Sequence, residues 1–512
     1  MRWPFASRFS LVVALLLALA APALAGGGRP AVRFIPLEGK PGLAKVQKRG
    51  KLAVSRNGDR LRVRAYVPAT RNGVDGVEIH TVERKAGDAQ TPSDVADAVA
   101  SFEEGIDIAI GRSWRRDLTP RDHYKGALKR LRSKRTLDEV TAFDHALDGV
   151  ARNLRVDEGP LRDKWTEYQD EKSYAQARAR RAGAGLALGV SGKKPKRGEG
   201  IHIARVTPGS AAARAGLRKG DRLLLVGRKK VTLDNWTEAL TSKEDRSFDI
   251  TVRARGGAVR TVTLKREPTR WPLQIQRTRE GMGVVRFNDG FTEGIAQEIH
   301  DGLLGLEKRG PLRGIVIDLR GNGGGAVEEA QNLLDDLVTS GNLGVYQHGD
   351  GKREDRDATG KATFGHLPLA VLIDGDSASM SDHVPNVLKA LAATRGVVIL
   401  GEKSYGKGLM QTTFKLKRGA LKISTATFSN GDLRTTQGNP VEPDITVEEA
   451  SRRQRAAHPG VRVVDPVLRE AVAELARMTA GRPTAPRALP APRPQLALPR
   501  AADTDLVTHD AR

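Results

Sequence analysis

The sequence predicts a multidomain α+β protein, and three observations carry that expectation. The chain has 512 residues, enough for three or four units of roughly 100–200 residues, each able to bury its own core. Short alternating stretches and glycine turns fill residues 29–87 and 183–265, whereas residues 93–181 carry helical spacing. From Trp271 to about Val447, continuous apolar runs alternate with helical patterns, which is how an α/β unit with a buried sheet reads.

Composition removes several chemistries. With no cysteine, disulfides, Cys-ligated zinc, iron–sulfur clusters, cysteine nucleophiles and lipid attachment through a thioether are all excluded, so a nucleophile must be Ser, Thr, Lys or a carboxylate. No His-Glu-x-x-His occurs, and neither a metal nor another cofactor is expected. Lys plus Arg number 85 against 61 Asp plus Glu, a formal charge of +24. Such a balance suits attraction to anionic envelope surfaces. Nucleic acid is not an expected partner, because aromatics make up only 4% of the chain and the charge is spread along it.

Each segment has its own justification. Residues 1–25 combine Arg2 and Arg8, the apolar run Leu11–Ala20 and small residues at Ala23 and Ala25, the three parts of a secretory signal cleaved after Ala25. The expected location is therefore periplasmic or extracellular, soluble or peripheral to a membrane. Residues 26–90 read as a small β-rich unit, with strands at 51–54, 61–67 and 76–79. Residues 91–181 read as a helical arm, with Ser93 as N-cap and an apolar face of Val95, Val99, Phe102 and Ile106. A third unit over 182–267, the α/β unit over 268–450, a C-terminal helix over 451–480 and a Pro/Ala-rich disordered tail over 481–512 complete the division.

Within the third unit, residues 182–188 form a glycine loop entering a strand, and residues 208–226 give a short Ala-rich helix, a glycine turn and a strand opening on Gly220-Asp221. That order of elements resembles the PDZ domain. The resemblance implies strand addition: an extended peptide pairs with a sheet edge while the N–H groups of Gly183, Ala184, Gly185 and Leu186 capture its terminal carboxylate.

Three glycine- or serine-rich sites in the α/β unit carry the chemistry. Residues 314–326 run from a strand through Gly321-Asn322-Gly323-Gly324-Gly325 into a helix. The spacing of Gly321, Gly323 and Ala326 satisfies a dinucleotide fingerprint, but no clear acidic strand end follows at the required distance; such a loop can instead aim N–H groups at an oxyanion. Residues 401–408 nearly complete a phosphate-binding loop, yet Gly408 stands where Ser or Thr should bind magnesium, and a strand follows rather than a helix. Residues 369–382 put Ser377, Ser379 and Ser381 at a strand-to-helix junction, where a serine serves either as nucleophile or as cap.

Taken together, Ser-Ala-Ser-Met-Ser-Asp (377–382), Gly-Glu-Lys-Ser-Tyr-Gly-Lys-Gly-Leu-Met-Gln (401–411), Asp-Leu-Arg-Gly-Asn-Gly-Gly-Gly (318–325) and Gly-Asn-Pro-Val-Glu-Pro-Asp-Ile (438–445) resemble the C-terminal processing peptidases, or tail-specific proteases, over about 183–447. This resemblance implies a ClpP/crotonase-like α/β core behind a PDZ domain. It also implies Ser379 as nucleophile, Lys407 as base, Gln411 as the residue that orients the base, and oxyanion donors at Gly324 and Met380. Met380 stands where the family usually has a small residue, and Asp382 where it usually has Glu. The implied activity is that of a serine-type endopeptidase acting on proteins with apolar C-terminal tails, with room for an adaptor protein. A PDZ scaffold with an inactive protease fold is the alternative.

A lysine base must be neutral, and an amine with a pKa of about 10.4 leaves only about one molecule in several thousand neutral at pH 7. Burial or neighbouring cations must lower it to ~8, a differential of roughly 3 kcal/mol. Neutral Gln411 can accept a hydrogen bond from the amine without restoring its charge, which a carboxylate would do. Lys403 is a competing base without flanking glycines on both sides and is expected at the surface, and His383 and His366 offer a histidine alternative with no marked carboxylate partner.

Overall fold

The computed structural model describes residues 32–480 except 39, 41–42, 157–158, 160–161, 175–185, 189–199, 207–210, 232–246, 266–272, 288–289, 393–395 and 459–463. The expected signal segment and C-terminal tail, and Gly183, Ala184 and Gly185, lie outside the described residues.

Four sheets organise the described residues. The N-terminal sheet orders its strands Arg33–Pro36, Val74–Ala86, Arg60–Arg71, Lys51–Asn57 in antiparallel pairs. Helices Pro92–Arg112, Pro120–Arg132 and Glu139–Leu154 pack on it, and Phe102, Ile106, Leu131 and Leu147 join Leu61 and Val63 in one core. Leu416, Leu421 and Ile423 of the α/β unit belong to that same core, so the helical region is not a free-standing arm. Helices Pro120–Arg132 and Glu139–Leu154 meet backbone to backbone at Gly126 and Gly149, where a Cβ would strike the facing carbonyl. The first helix is capped by Thr91, whose side chain accepts from the Asp94 N–H, and not by Ser93 as the sequence suggested. Pro92 at the first helical turn explains the shift: its fixed φ and missing donor suit that position and leave the preceding residue as cap.

The third unit is a sheet ordered Val259–Lys265, Ser247–Arg253, Arg222–Val226, Ile201–Val206, Leu186–Leu188. Ala212, Leu217, Leu223, Ile250 and Leu264 fill its core. Asp221, buried after the glycine turn, accepts from the N–H groups of Arg218 and Arg255 and ties two loops together. Leu186–Leu188 is the last strand of this sheet among the described residues and pairs there with Ile201–Val206.

The α/β unit is built on a six-stranded sheet ordered Gln274–Arg277, Met282–Arg286, Gly314–Asp318, Leu369–Ile373, Val397–Gly401, Ile445–Thr446, parallel after the first pair. Strands Gly314–Asp318 and Leu369–Ile373 are buried along their whole length, as a parallel sheet covered on both faces requires. One face packs on helices Ile295–Glu307, Val327–Leu337 and Met380–Ala390, the other on Val447–Ala457 and Pro466–Met478. The C-terminal region thus holds two helices rather than one. Asp318, at the end of its strand, pairs with Arg320, which also binds Asp465 and pins the last helix to the sheet.

A fourth sheet, Arg353–Asp357, Asn342–His348, Ala420–Ser429, Leu409–Lys415, lies beside it. It gains a strand from far upstream: Glu167–Gln169 pairs antiparallel with Ala420–Ser429. Residues 162–169 therefore leave the helical pattern expected for 91–181 and lie against the α/β unit.

Candidate active site

The serine run is sorted by burial and bonding. Ser377 is fully buried, and its hydroxyl donates to Leu319 O at 2.9 Å while accepting from the Asp374 N–H at 2.9 Å. Ser381 is fully buried on the helix, and its hydroxyl has no partner among the described residues. Ser379 is partly exposed at the N-cap of Met380–Ala390, with φ 60° and ψ −117°, a conformation of mirror-image turns that a serine occupies at a cost of about 1–3 kcal/mol. Strain at one residue of such a junction, next to a helix start, is the geometry of an exposed nucleophile.

The N–H of Met380, first residue of the helix, has no hydrogen-bond partner among the described residues and is available to an oxyanion. Gly324 lies against Ser379: a Cβ there would fall 2.6 Å from Ser379 Cβ and 3.0 Å from Met380 N, and its φ of 98° itself favours glycine. The Gly324 N–H, however, donates to Asn322 Oδ1 at 2.9 Å, so the second expected oxyanion donor is engaged in this structure.

One carboxylate gathers Ser379 and Lys407, the expected nucleophile and base. Oδ2 of Asp382 accepts from the Ser379 N–H at 2.7 Å and the Lys407 N–H at 2.9 Å, and Oδ1 accepts from Ser404 Oγ at 2.6 Å and the Gly406 N–H at 2.8 Å. Residues 28 positions apart in sequence are thereby held on one oxygen atom. Burial pushes the Asp382 carboxyl above its ordinary range, while these four donors pull it back. The side chain that looked like a departure from the family pattern is thus the hub of the site.

Lys407 occupies a tight loop. Gly406, at φ 85°, faces Pro440 Cγ at 2.9 Å from a hypothetical Cβ, and Gly408 abuts the Gln437 backbone, so both flanking glycines are steric necessities. The 438–445 motif closes on this loop through Gly438 N–H to Gly406 O and Ser404 N–H to Val441 O. Burial, with the repulsion of Lys422 added, lowers the Lys407 amine from its ordinary value to about 8, against weaker attraction from Asp163 and Asp382. Nζ lies 4.8 Å from the ring centroid of Trp165, and no hydrogen bond joins it to Ser379 or Gln411 among the described residues.

Gln411 follows a β-bulge between Met410 and Gln411 that re-aims the strand. Its amide nitrogen donates to Leu409 O at 3.0 Å and Ser424 Oγ at 3.1 Å, and its oxygen, an acceptor able to face an amine, has no hydrogen-bond partner among the described residues. The competing bases lie elsewhere. Lys403 is exposed and paired with Glu442 at 2.7 Å. His383 is fully buried against Tyr346 and Phe428, contacts Leu343 O, and is pushed down to about 4 by that burial. The near phosphate-binding loop leads into strand Leu409–Lys415, without the helix that would hold a phosphate.

Sequence reasoning missed Asp163, Trp165 and Lys422, which surround the Lys407 amine; Asp163 and Trp165 lie more than 240 positions away with nothing local to mark the contact, and Lys422 comes near through the pairing of strands Leu409–Lys415 and Ala420–Ser429.

Comparison with known proteins assigns the class to this geometry. Residues 281–447 match the model of peptidase family S41, and residues 176–243 match that of the PDZ domain, so the chain carries an S41 peptidase domain behind a PDZ domain. This bears out the resemblance to the C-terminal processing peptidases. Among relatives, a probable CtpA-like serine protease of Staphylococcus aureus (strain bovine RF122 / ET3-1) is 27% identical over 337 residues, covering 64% of this chain and 62% of that protein. A protein of the same description from Staphylococcus epidermidis is 24% identical over 334 residues, covering 64% and 63%. The chain thus matches about three fifths of the length of these relatives. A solved photosystem II D1 C-terminal processing protease is 21% identical, with TM-score 0.45, over 76% of this chain and 99% of that one.

Proposed function

We propose that this chain is an exported serine endopeptidase that binds protein C-termini through its PDZ domain and cleaves by a Ser379/Lys407 mechanism. The observation that carries the proposal is the Asp382 carboxylate, which holds the backbones of Ser379 and Lys407 on one oxygen beside an amine lowered to about 8. At that value roughly one amine in ten is neutral at pH 7, compared with about one in several thousand unperturbed.

The steps follow from the groups present. Neutral Lys407 Nζ takes the Ser379 Oγ proton as the oxygen attacks the scissile carbonyl carbon, and the Met380 N–H meets the oxyanion. The resulting ammonium returns its proton to the leaving amine, so an acyl-enzyme forms at Ser379; water then attacks with Lys407 again as base. Gln411 Oε1 orients the amine without charging it. The position of Leu186–Leu188 as the last strand of its sheet among the described residues supports strand addition by an apolar tail. No helix among the described residues is long and apolar enough to cross a membrane, and residues 1–25 support export.

The test is to incubate the protein with a loosely folded substrate bearing an apolar C-terminal tail, beside Ser379→Ala and Lys407→Ala. The proposal requires cleavage by the unmodified chain and its loss in both variants with tail binding retained. A second reading, an inactive PDZ scaffold, draws on the engaged Gly324 N–H; tail binding without cleavage by the unmodified chain would favour it.

A further inference from the structure

Residues 162–166, a strap leading into strand Glu167–Gln169, reach the proposed base. Asp163, fully buried, accepts from Trp114 Nε1 at 3.2 Å, the Trp165 N–H at 3.1 Å, the Thr166 N–H at 3.3 Å and Thr166 Oγ1 at 2.9 Å. Thr166 Oγ1 accepts from the Ser424 N–H, and the Ser424 hydroxyl accepts from Gln411. On the other side, Gln437 donates to Arg162 O at 2.8 Å and accepts from the Gly408 N–H at 2.9 Å. The strap is therefore bonded to the neighbours of both Gln411 and Lys407, and the indole it carries is held at one place.

We propose that Trp165 is a positioning residue for the general base: its indole face holds the Lys407 ammonium and sets the pH at which the neutral amine becomes available to Ser379. The inference rests on the Ser/Lys reading above. A cation 4.8 Å from an indole centroid is attracted by the ring quadrupole, and partial burial strengthens that attraction. It opposes the burial and the Lys422 repulsion that favour the neutral form. The other charged groups facing this amine are Asp163 on the strap and Asp382 on helix Met380–Ala390. Lys164 Nζ stands 5.9 Å from the same indole centroid and 5.5 Å from that of Tyr405, and Arg162 donates to the Tyr405 hydroxyl at 3.0 Å. A substitution at 165 removes none of these charges, but Lys164 shares the ring and loses the same contact, so the variants are compared in a Lys164→Gln background, where a change in the titration of Lys407 reports on the ring.

The sign of the effect separates charge recognition from filling space. Trp165→Leu keeps apolar bulk and loses the quadrupole, so the ammonium is destabilised without gaining water and Lys407 titrates about one pH unit lower. Trp165→Phe keeps a π face and stays within about half a unit. Trp165→Ala admits water and moves the amine upward, toward its ordinary value of about 10.4.

The experiment uses the full chain and two readouts. Competitive acetylation with acetic anhydride across pH, read by mass spectrometry on the peptide carrying Lys407, gives its titration without needing turnover; the pH profile of kcat/KM gives the catalytic limb. The expected order of midpoints is Leu, then Phe with the unmodified protein, then Ala, with the catalytic limb following. Equal midpoints for Leu and the unmodified protein, or an upward shift in Leu, overturn the role of Trp165 even when the limb still tracks Lys407. Labelling midpoints that shift in the expected order while the limb stays fixed, or while no variant and no unmodified protein turns over, overturn the Ser/Lys reading and with it the role of Trp165 as keeper of a base. Trp165→Phe, the mildest change, keeps the comparison available if Leu or Ala fails to fold by circular dichroism.

Discussion

Replacing Asp382 by Asn keeps shape and volume while removing one of two acceptor oxygens. The carboxylate receives two donors on each oxygen, at 2.6–2.9 Å, from a fully buried position. Whichever way the amide turns, its NH2 group faces two donors: the N–H groups of Ser379 and Lys407, or Ser404 Oγ and the Gly406 N–H. Each buried donor left unpaired costs about 1–3 kcal/mol, so the variant loses about 4 kcal/mol, a large share of an ordinary domain's ~5–15 kcal/mol. In a thermal unfolding scan this appears as a fall of about 8–16 °C in the transition of the peptidase domain. Turnover of a tail-bearing substrate falls by ~100-fold or more, the effect of displacing a nucleophile and base by about an ångström. Asp382→Glu, which restores the residue usual in the family, keeps both oxygens and recovers part of both quantities. Asp382→Asn with stability within about 1 kcal/mol of the unmodified protein and turnover within a few-fold would refute the reasoning, because the four donors would then be indifferent to their acceptor.

Further outcomes follow from the same geometry. An amine at about 8 in the folded chain and about 10.4 in the unfolded one makes kcat/KM rise through pH 8. The same difference costs the fold about 3 kcal/mol below pH 8, a cost that shrinks as pH rises and is gone above about 10.4. Lys407→Met is accordingly expected to unfold at higher denaturant than the unmodified protein at pH 7, and a flat pH–rate profile or a less stable variant would contradict this. Ser379→Gly abolishes turnover yet gains about 1 kcal/mol in equilibrium unfolding, because glycine accepts the φ of 60° without strain; a loss of stability would deny the strain. Gly408→Ala drives a methyl group into the Gln437 backbone and costs about 1–3 kcal/mol together with most activity, whereas Gly375→Ala, where a Cβ meets open space, leaves both unchanged.

The α/β core was readable because its strands are continuous apolar runs with no polar face, as in Ile315–Ile317 and Leu369–Ile373, and only a sheet covered on both sides uses such runs. The serine and the lysine were readable as candidates because turn chemistry marks them, one by a strand-to-helix junction and the other by glycines that the packing of Pro440 and Gln437 demands. Other features left no local trace. Strand Glu167–Gln169 has three half-buried residues without apolar alternation, and its pairing with Ala420–Ser429 is a long-range choice. Thr91 and Ser93 are both capable caps, and only the meaning of Pro92 between them separates the two. Asp382 read only as a departure from the residue usual in the family, since no sequence pattern shows that one carboxylate serves four donors. The engagement of the Gly324 N–H by Asn322 depends on how a glycine loop folds back on itself, which motif spacing does not encode.

The added strand changes what counts as the peptidase unit. The chain leaves the fourth sheet at Gln169, builds the PDZ domain, and returns to the six-stranded sheet at Gln274, so that domain is an insertion with both ends moored to one body. A fragment cut to the family matches, 176–447, would lack the edge strand, the buried Asp163 and the indole beside Lys407. It would also bare Leu416, Leu421 and Ile423, whose cover is the N-terminal helices. The smallest piece worth producing is accordingly defined from the other direction, by excising the insertion between Tyr174 and Leu273 and keeping everything that precedes it.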